Sequence, residues 1–461
     1  MKMWSGRFAE PLDRAFETWQ RSYPFDQRLL PHEIAGSRAH ARALAKAGVL
    51  TNDELTQILS GLQKIGERPP AADSEAEDVH HYVEKELVAL IGETGYKLHS
   101  GRSRNEQVAT DLRLYVRAAI DELRSSLSSL VLAFLARAED AAGAVMPAYT
   151  HLQRAEPVLV SHWLLAYVEM FLRSGERLAQ CRSRVNLCPL GSGAVAGATL
   201  PLDRRVLAAE LGFDGATANS IDATSEREFA LEFVQVLSLL ALSLSRWAEE
   251  MILFSTVEFG FVSLPEAYST GSSAMPQKKN PDLLELVRGK TARVAGNAVA
   301  LLVAAKGLPL AYNKDLQETQ EPLFDASETL VAALPLVTGF MGSVTFNLPR
   351  MRQAAEKGFL NAWAAATYLV ERGVPSRLAH EQVGRAVRVS LDKGCELVDL
   401  SLDELRSASA AFAPDIYDRL GLDAVVAIHD VPGGTAPGRV LVALREARNR
   451  AHSLLENHAG S

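Results

Sequence analysis

Five long windows, 106–142, 157–187, 225–262, 282–306 and 318–340, are poor in Gly and Pro and rich in Ala, Leu, Glu and Arg, and they constrain the fold more than any other feature. Within the first, Leu112, Tyr115, Val116, Ala119, Ile120 and Leu123 recur at the spacing that gives a helix one apolar face. Window 225–262 is apolar nearly all round, which predicts burial inside a bundle or an oligomer. Period-two alternation is scarce, so the expected class is all-α, built on a central bundle more than about 40 Å long at the helical rise. The more weakly helical flanks divide the chain into an N-terminal helical domain (1–108), the central bundle (109–360) and a C-terminal helical domain (361–461). Gly-, Pro- and Ser-rich interruptions at 147–156, 189–201, 263–281 and 307–317 separate the helices, and loops on a rigid scaffold are where chemistry is expected.

The chain has 461 residues, and its 48% hydrophobic and 23% charged content is that of a globular protein rather than a disordered one. A formal charge of −8 argues against an overall nucleic-acid binder. Local basic clusters at Arg102/Arg104, Lys278/Lys279 and Lys314 could still hold a small polyanion. Three cysteines, Cys181, Cys188 and Cys395, are too few for a disulfide framework and lack zinc-site spacing, so they read as reduced packing residues. The first residues carry no apolar signal segment. The most apolar stretch, Phe233 to Ser245, is too short and Ser-rich to span a bilayer, so no membrane association and a cytoplasmic location are expected.

Four segments could carry chemistry. In Gly271-Ser-Ser-Ala-Met-Pro-Gln-Lys-Lys-Asn-Pro281, glycine, paired serines and Pro276 predict a non-helical loop. Asn280 is then expected to cap a helix with Pro281 at its first position, leaving two lysines and free backbone N–H groups as an anion site. A solvated basic turn is the plainer alternative, and no nucleophile elbow of a serine hydrolase is present. His151 sits in the loop 146–157 among hydroxyls and amides, as a possible acid or base or simply a satisfied structural histidine. Ser103 or Asn105 can cap the helix that follows Gly101-Arg-Ser-Arg-Asn105, with Arg102 and Arg104 placed for carboxylates. Tyr312 to Glu318 is a polar run leading into another helix; both segments have simple capping as the alternative. His80 and His81 lack metal-ligand spacing and read as helix-surface or pocket-wall residues.

Together these segments resemble the fumarase/aspartase superfamily, whose signature loop reads Ser-Ser-x-Met-Pro-x-Lys-x-Asn-Pro. Trp4 to Phe8, Gly101 to Asn105, Tyr149 to Arg154, Pro189 to Gly193, Asn219 to Asp222, Tyr312 to Glu318 and Gly433 to Pro437 narrow the resemblance to its argininosuccinate lyase branch. The resemblance implies three helical domains, a homotetramer with a twenty-helix core, and active sites each shared by three subunits. It implies a cofactor-free and metal-free β-elimination of argininosuccinate to arginine and fumarate. By position, His151 and Ser272 are the acid/base pair, Glu285 orients His151, and Lys278 stabilises the charge that develops; either His151 or Ser272 could take the carbon proton. Substrate contacts carried over are Ser22, Asn105, Thr150, Asn280, Tyr312 and Gln317.

Several positions depart from the pattern. Thr319-Gln320 stands where the branch usually has Asp-Lys, and a neutral Gln320 removes a contact of about 1–3 kcal/mol unless another basic residue replaces it. Glu106 and Glu156 replace Asp and Gln, and Val425 to Val431 lacks the usual Ser-Val-x-x-Arg. Other lyases of the superfamily (adenylosuccinate lyase, fumarase, aspartase) and a catalytically silent crystallin-like protein are the competing readings.

Overall fold

A computed structural model of the chain describes residues 10–72 and 74–456, so Trp4 to Phe8 lies outside the described residues. It is all-α apart from four two-stranded ladders, as expected. The longer helices before the bundle are α1 (Leu30–Lys46), α2 (Asn52–Gly66) and α3 (Val79–Ile91). The bundle comprises α4 (Arg104–Asp140), α5 (Val160–Val185), α6 (Glu228–Ser255), α7 (Asp282–Ala305) and α8 (Gln320–Ser343), one for each window. The 37 residues of α4 span about 55 Å.

Local chemistry explains where the longest helix starts. Ser103 is its N-cap: the Asn105 amide donates to the Ser103 hydroxyl at 3.3 Å and the Ser103 amide donates to Glu106 at 3.0 Å. Four aromatic side chains then lock the long helices together. Phe134 of α4 meets Phe171 of α5 at 5.2 Å and Trp247 of α6 at 5.9 Å, and Trp247 meets Phe340 of α8 at 5.5 Å, all edge-on. All four are fully buried, and truncating any one costs about 3–5 kcal/mol.

Beyond the bundle, α9 (Ala362–Glu371), α10 (Ser376–Lys393) and α11 (Leu402–Ala408) enclose a second core of Tyr368, Leu369, Val383, Leu405 and Phe412. The last helix, α12 (Pro437–Glu456), leaves that core and returns to α4 and α5. Leu444, Ala451 and Leu454 join the main core, and the Ser128 hydroxyl donates to the Ala451 carbonyl at 2.9 Å. Gly175 permits this approach, since a Cβ there would sit 2.7 Å from Leu454.

The all-round apolar character of α6 is only partly used within one chain. Leu239 and Leu242 of α6, Leu286, Val299 and Leu302 of α7 and Leu336 of α8 remain exposed. By length and composition two helical stretches, Glu228–Ser255 and Lys314–Ser343, could cross a membrane, and half of the apolar 18-residue window in each is buried. The first is longer than the apolar stretch read from sequence, because its flanking polar residues continue the helix.

Candidate active site

The segments before α4 and before α8 meet at a cavity of about 230 Å³ lined by Ser22, Asp26, Glu77, Asp78, His81, Arg104, Val108, Tyr312, Lys314, Gln317 and Gln320. Three of the expected substrate contacts, Ser22, Tyr312 and Gln317, therefore share one chamber. The Ser22 hydroxyl donates to Asp26 Oδ2 at 2.6 Å, and Gln317 Nε2 donates to the Gln20 carbonyl at 3.1 Å. Asn105 is half-buried in the first turn of α4, next to the cavity residue Arg104.

Acidic groups in this chamber were not anticipated from sequence. Asp26 also accepts the Val79 amide at 2.9 Å, yet burial, reinforced by the charge of Asp78, raises its carboxyl to about 7. Burial pushes Asp78 up as well, but Arg104, 3.1 Å away, and the nearby His80 outweigh it and hold Asp78 below its ordinary range. Lys314 faces Glu77 at 3.6 Å. A usable signal was the Ser22-x-x-x-Asp26 spacing, one helical turn. Gln320 lines the same chamber, is 4% exposed, and its carbonyl oxygen has no hydrogen-bond partner.

His80 corrects the surface or pocket-wall reading, while His81 does line the cavity. His80 is buried, its Nδ1 lies 2.8 Å from Glu33 and 3.4 Å from Asp111, and these three form the one cluster of metal-ligand type among the described residues. Glu33 is already saturated with donors: Gln107 Nε2 reaches both of its oxygens at 2.7 Å and the Ser37 hydroxyl donates to it at 2.5 Å. Arg102, expected to meet a carboxylate, forms an ion pair with Glu33 at 3.9 Å and also donates to Ser37 at 2.9 Å. Burial and the charge of Glu33 raise Asp111 well above the usual carboxylate range.

Thr150 and His151 lie at the tip of an antiparallel hairpin, β1 (Val145–Thr150) and β2 (Gln153–Leu159), with Thr150 opposite Gln153. The two-residue turn needs positive φ at both positions, and His151 and Leu152 adopt φ 55° and 57°. Arg154 braces the hairpin by donating to the Ala354 carbonyl at 3.0 Å. Both Thr150 and His151 are exposed in the single chain.

The signature loop is closed by a short ladder of β3 (Thr270–Gly271) against β4 (Lys279–Asn280). The Ala274 and Met275 amides donate to the Ser272 hydroxyl at 3.3 and 3.1 Å, so Ser272 organises its own turn. Asn280 does not cap α7, correcting the sequence expectation: its amide donates to Thr270 Oγ1 at 3.3 Å, and the helix begins at Asp282 after Pro281. The ladder outcompetes the cap because it satisfies the Asn280 side chain and backbone together. Lys278 and Glu285 are exposed. Among the described residues no hydrogen bond or ion pair joins His151 to Ser272, Lys278 or Glu285. Two of the departures also find partners: Glu106 accepts the Gly193 amide at 2.9 Å, and Glu156 lies 3.4 Å from His429.

Residues 6–296 match the sequence family described as Lyase, and residues 359–427 match the family described as Argininosuccinate lyase C-terminal. Of solved structures, a variant of EDDS lyase with bound fumarate superposes with a TM-score of 0.86 at 31% identity, covering 94% of this chain and 88% of that one. The 3-carboxy-cis,cis-muconate lactonizing enzyme from Pseudomonas putida shares the fold, with a TM-score of 0.75 at 22% identity over 96% and 100% of the two chains. Fold and loop thus define a carbon–nitrogen lyase of the fumarase/aspartase superfamily. The argininosuccinate lyase of Koribacter versatilis is 58% identical over 98% of this chain and 97% of its own, and that of Acidobacterium capsulatum is 57% identical over 99% and 96%. The chain belongs to the argininosuccinate lyase family.

Proposed function

We propose that this enzyme eliminates arginine from argininosuccinate, leaving fumarate, as a cytoplasmic homotetramer acting in arginine biosynthesis. The observation that carries the reading is the convergence of Ser22, Tyr312 and Gln317 on one cavity beside Arg104 and Lys314, in a chain of this family. A zwitterionic, guanidino-bearing, polycarboxylate substrate needs both signs of charge, and the chamber offers Glu77 and Asp78 beside its two cations.

A base removes a proton from the succinyl carbon next to a carboxylate. The carbanion is delocalised into that carboxylate, and the carbon–nitrogen bond then breaks with the electron pair going to the guanidino nitrogen, which takes up a proton. Lys278, Asn280 and the loop amides supply positive charge to the carboxylate as its negative charge grows. His151 and Ser272 form the acid/base pair, with Glu285 orienting His151. A serine hydroxyl serves as a base only in a closed site with cationic support, which Lys278 provides. Thr150 and Asn105 complete the substrate contacts.

His151, Lys278 and Glu285 stand exposed in a single chain, where water would compete for every charge. The uncovered apolar faces of α6, α7 and α8 suit packing against further copies, and such packing brings loops from different subunits over one cavity. Lys314 and Arg104 share the chamber with the neutral Gln320, each paired with a carboxylate of its wall.

The test is an assay of purified protein with argininosuccinate, adenylosuccinate, malate and aspartate, following fumarate by ultraviolet absorbance. Turnover of argininosuccinate alone is expected, and preference for another substrate reassigns the enzyme within its superfamily. Ser272→Ala should keep fold and substrate binding while losing most turnover, and near-normal fumarate release would remove Ser272 from the mechanism.

A further inference from the structure

Gly339 lies inside α8, one turn before its last residue, Ser343, where glycine is a weak helix former. Its missing side chain has a local reason: a Cβ there would overlap the Tyr268 hydroxyl oxygen and sit 2.9 Å from Cζ of the same ring. The Tyr268 ring also stands edge-on to Phe340, the next residue of α8, with centroids 6.1 Å apart. Tyr268 therefore occupies a notch on α8 that glycine leaves open.

Tyr268 stands two residues ahead of β3, the first strand of the signature loop. The link between them is braced. The Tyr268 amide donates to the Pro265 carbonyl at 3.1 Å, the Ser269 amide to the Glu266 carbonyl at 3.2 Å and the Ser269 hydroxyl to the Pro265 carbonyl at 2.8 Å. Upstream, Val262 and Ser263 pair with Phe346 and Thr345, just beyond the end of α8. On the returning strand β4, Lys279 Nζ donates to the carbonyl of the buried Leu264 at 2.9 Å. Lys279 thus fastens the far end of the loop to the segment that the notch holds.

We infer that Tyr268, seated against Gly339, is a positioning residue: it fixes the root of the signature loop, and with it the place of Ser272 and Lys278 relative to the substrate. This rests on the reading of Ser272 and Lys278 as parts of the lyase mechanism. Groups that stabilise a growing charge act only when they stand in register with it, so a displaced root costs turnover before it costs binding.

Gly339→Ala and the double variant Gly339→Ala/Tyr268→Phe test this in the full-length enzyme. Alanine is the better helix former, so α8 itself accepts the change, while the new methyl drives Tyr268 from its notch. For argininosuccinate, kcat should fall about tenfold or more with KM within about threefold. Removing the hydroxyl relieves the nearest overlap, so the double variant should turn over at least about threefold faster than Gly339→Ala. Tyr268→Ala empties the notch without crowding α8; it should show the same loss, and it stands in if the methyl prevents folding. Amide exchange reads the loop without turnover: the ladder amides of 270–271 and 279–280 should exchange about tenfold faster in Gly339→Ala, and more slowly again in the double variant. A Gly339→Ala enzyme that melts earlier but keeps its kcat and its ladder exchange makes the notch a stability feature alone and overturns the inference. A double variant no faster than Gly339→Ala also overturns it, because the phenol is then not what the methyl displaces. If wild type leaves argininosuccinate intact, the functional reading fails instead, and exchange still judges the anchor: equal ladder protection in wild type and Gly339→Ala overturns it.

Discussion

The Leu159 amide donates to the hydroxyl of Thr435 at 2.9 Å, joining the end of the His151 hairpin to a segment 276 residues further along the chain. Thr435 is buried, and Gly434 beside it has no room for a side chain, because a Cβ would overlap the His429 carbonyl. The far end of the chain thus sets the base of the hairpin. Thr435→Val keeps the shape but strands the Leu159 amide, so stability should fall by about 1–3 kcal/mol in urea unfolding. An unchanged midpoint would show that the hairpin base is held by other contacts.

Leucine is a poor residue for the left-handed turn at position 152, where φ is 57° and the side chain is 70% exposed in the single chain. Leu152→Gly should relieve that strain and stabilise the protein by about 1 kcal/mol. Greater stability with lower kcat would show that Leu152 is kept for catalysis. Lower stability would mean its side chain is buried in the oligomer.

Asp26 binds its proton more tightly in the folded chain, at about 7, than an ordinary carboxyl does unfolded. Stability from this group is therefore fully present below about pH 4 and is lost as pH rises towards 7. Asp26→Asn lacks this titration. The difference in melting temperature, wild type minus variant, should fall between about pH 4 and pH 7 and then level off. A difference independent of pH would place the Asp26 proton elsewhere.

The helical windows were legible because each long helix repeats one apolar face, as Leu112 to Leu123 does. Ser22, Tyr312 and Gln317 could be named by resemblance, but the acids facing them could not. Asp26 and Asp78 look like ordinary capping and surface carboxylates until folding brings 22–26, 77–81 and 312–320 together. The cap expected at Asn280 failed for a similar reason, since a ladder with Thr270 and Gly271 is a non-local competitor.

Glu285→Gln should act more mildly than loss of Ser272, lowering kcat while leaving KM within about threefold, because a residue that orients the base contributes little to ground-state binding. A fully active Glu285→Gln enzyme in the fumarate assay would leave His151 without its partner and remove Glu285 from the mechanism.

In the proposed assembly, His151 of one copy and Ser272 of another serve the same site. Co-refolding equal amounts of His151→Asn and Ser272→Ala chains, each nearly inactive alone, tests it most directly. Random mixing should restore about a quarter of wild-type argininosuccinate turnover, because that share of sites draws both residues intact from different chains. If both residues came from the same chain, every site would carry one defect, so a mixture no more active than its parts would contradict the account.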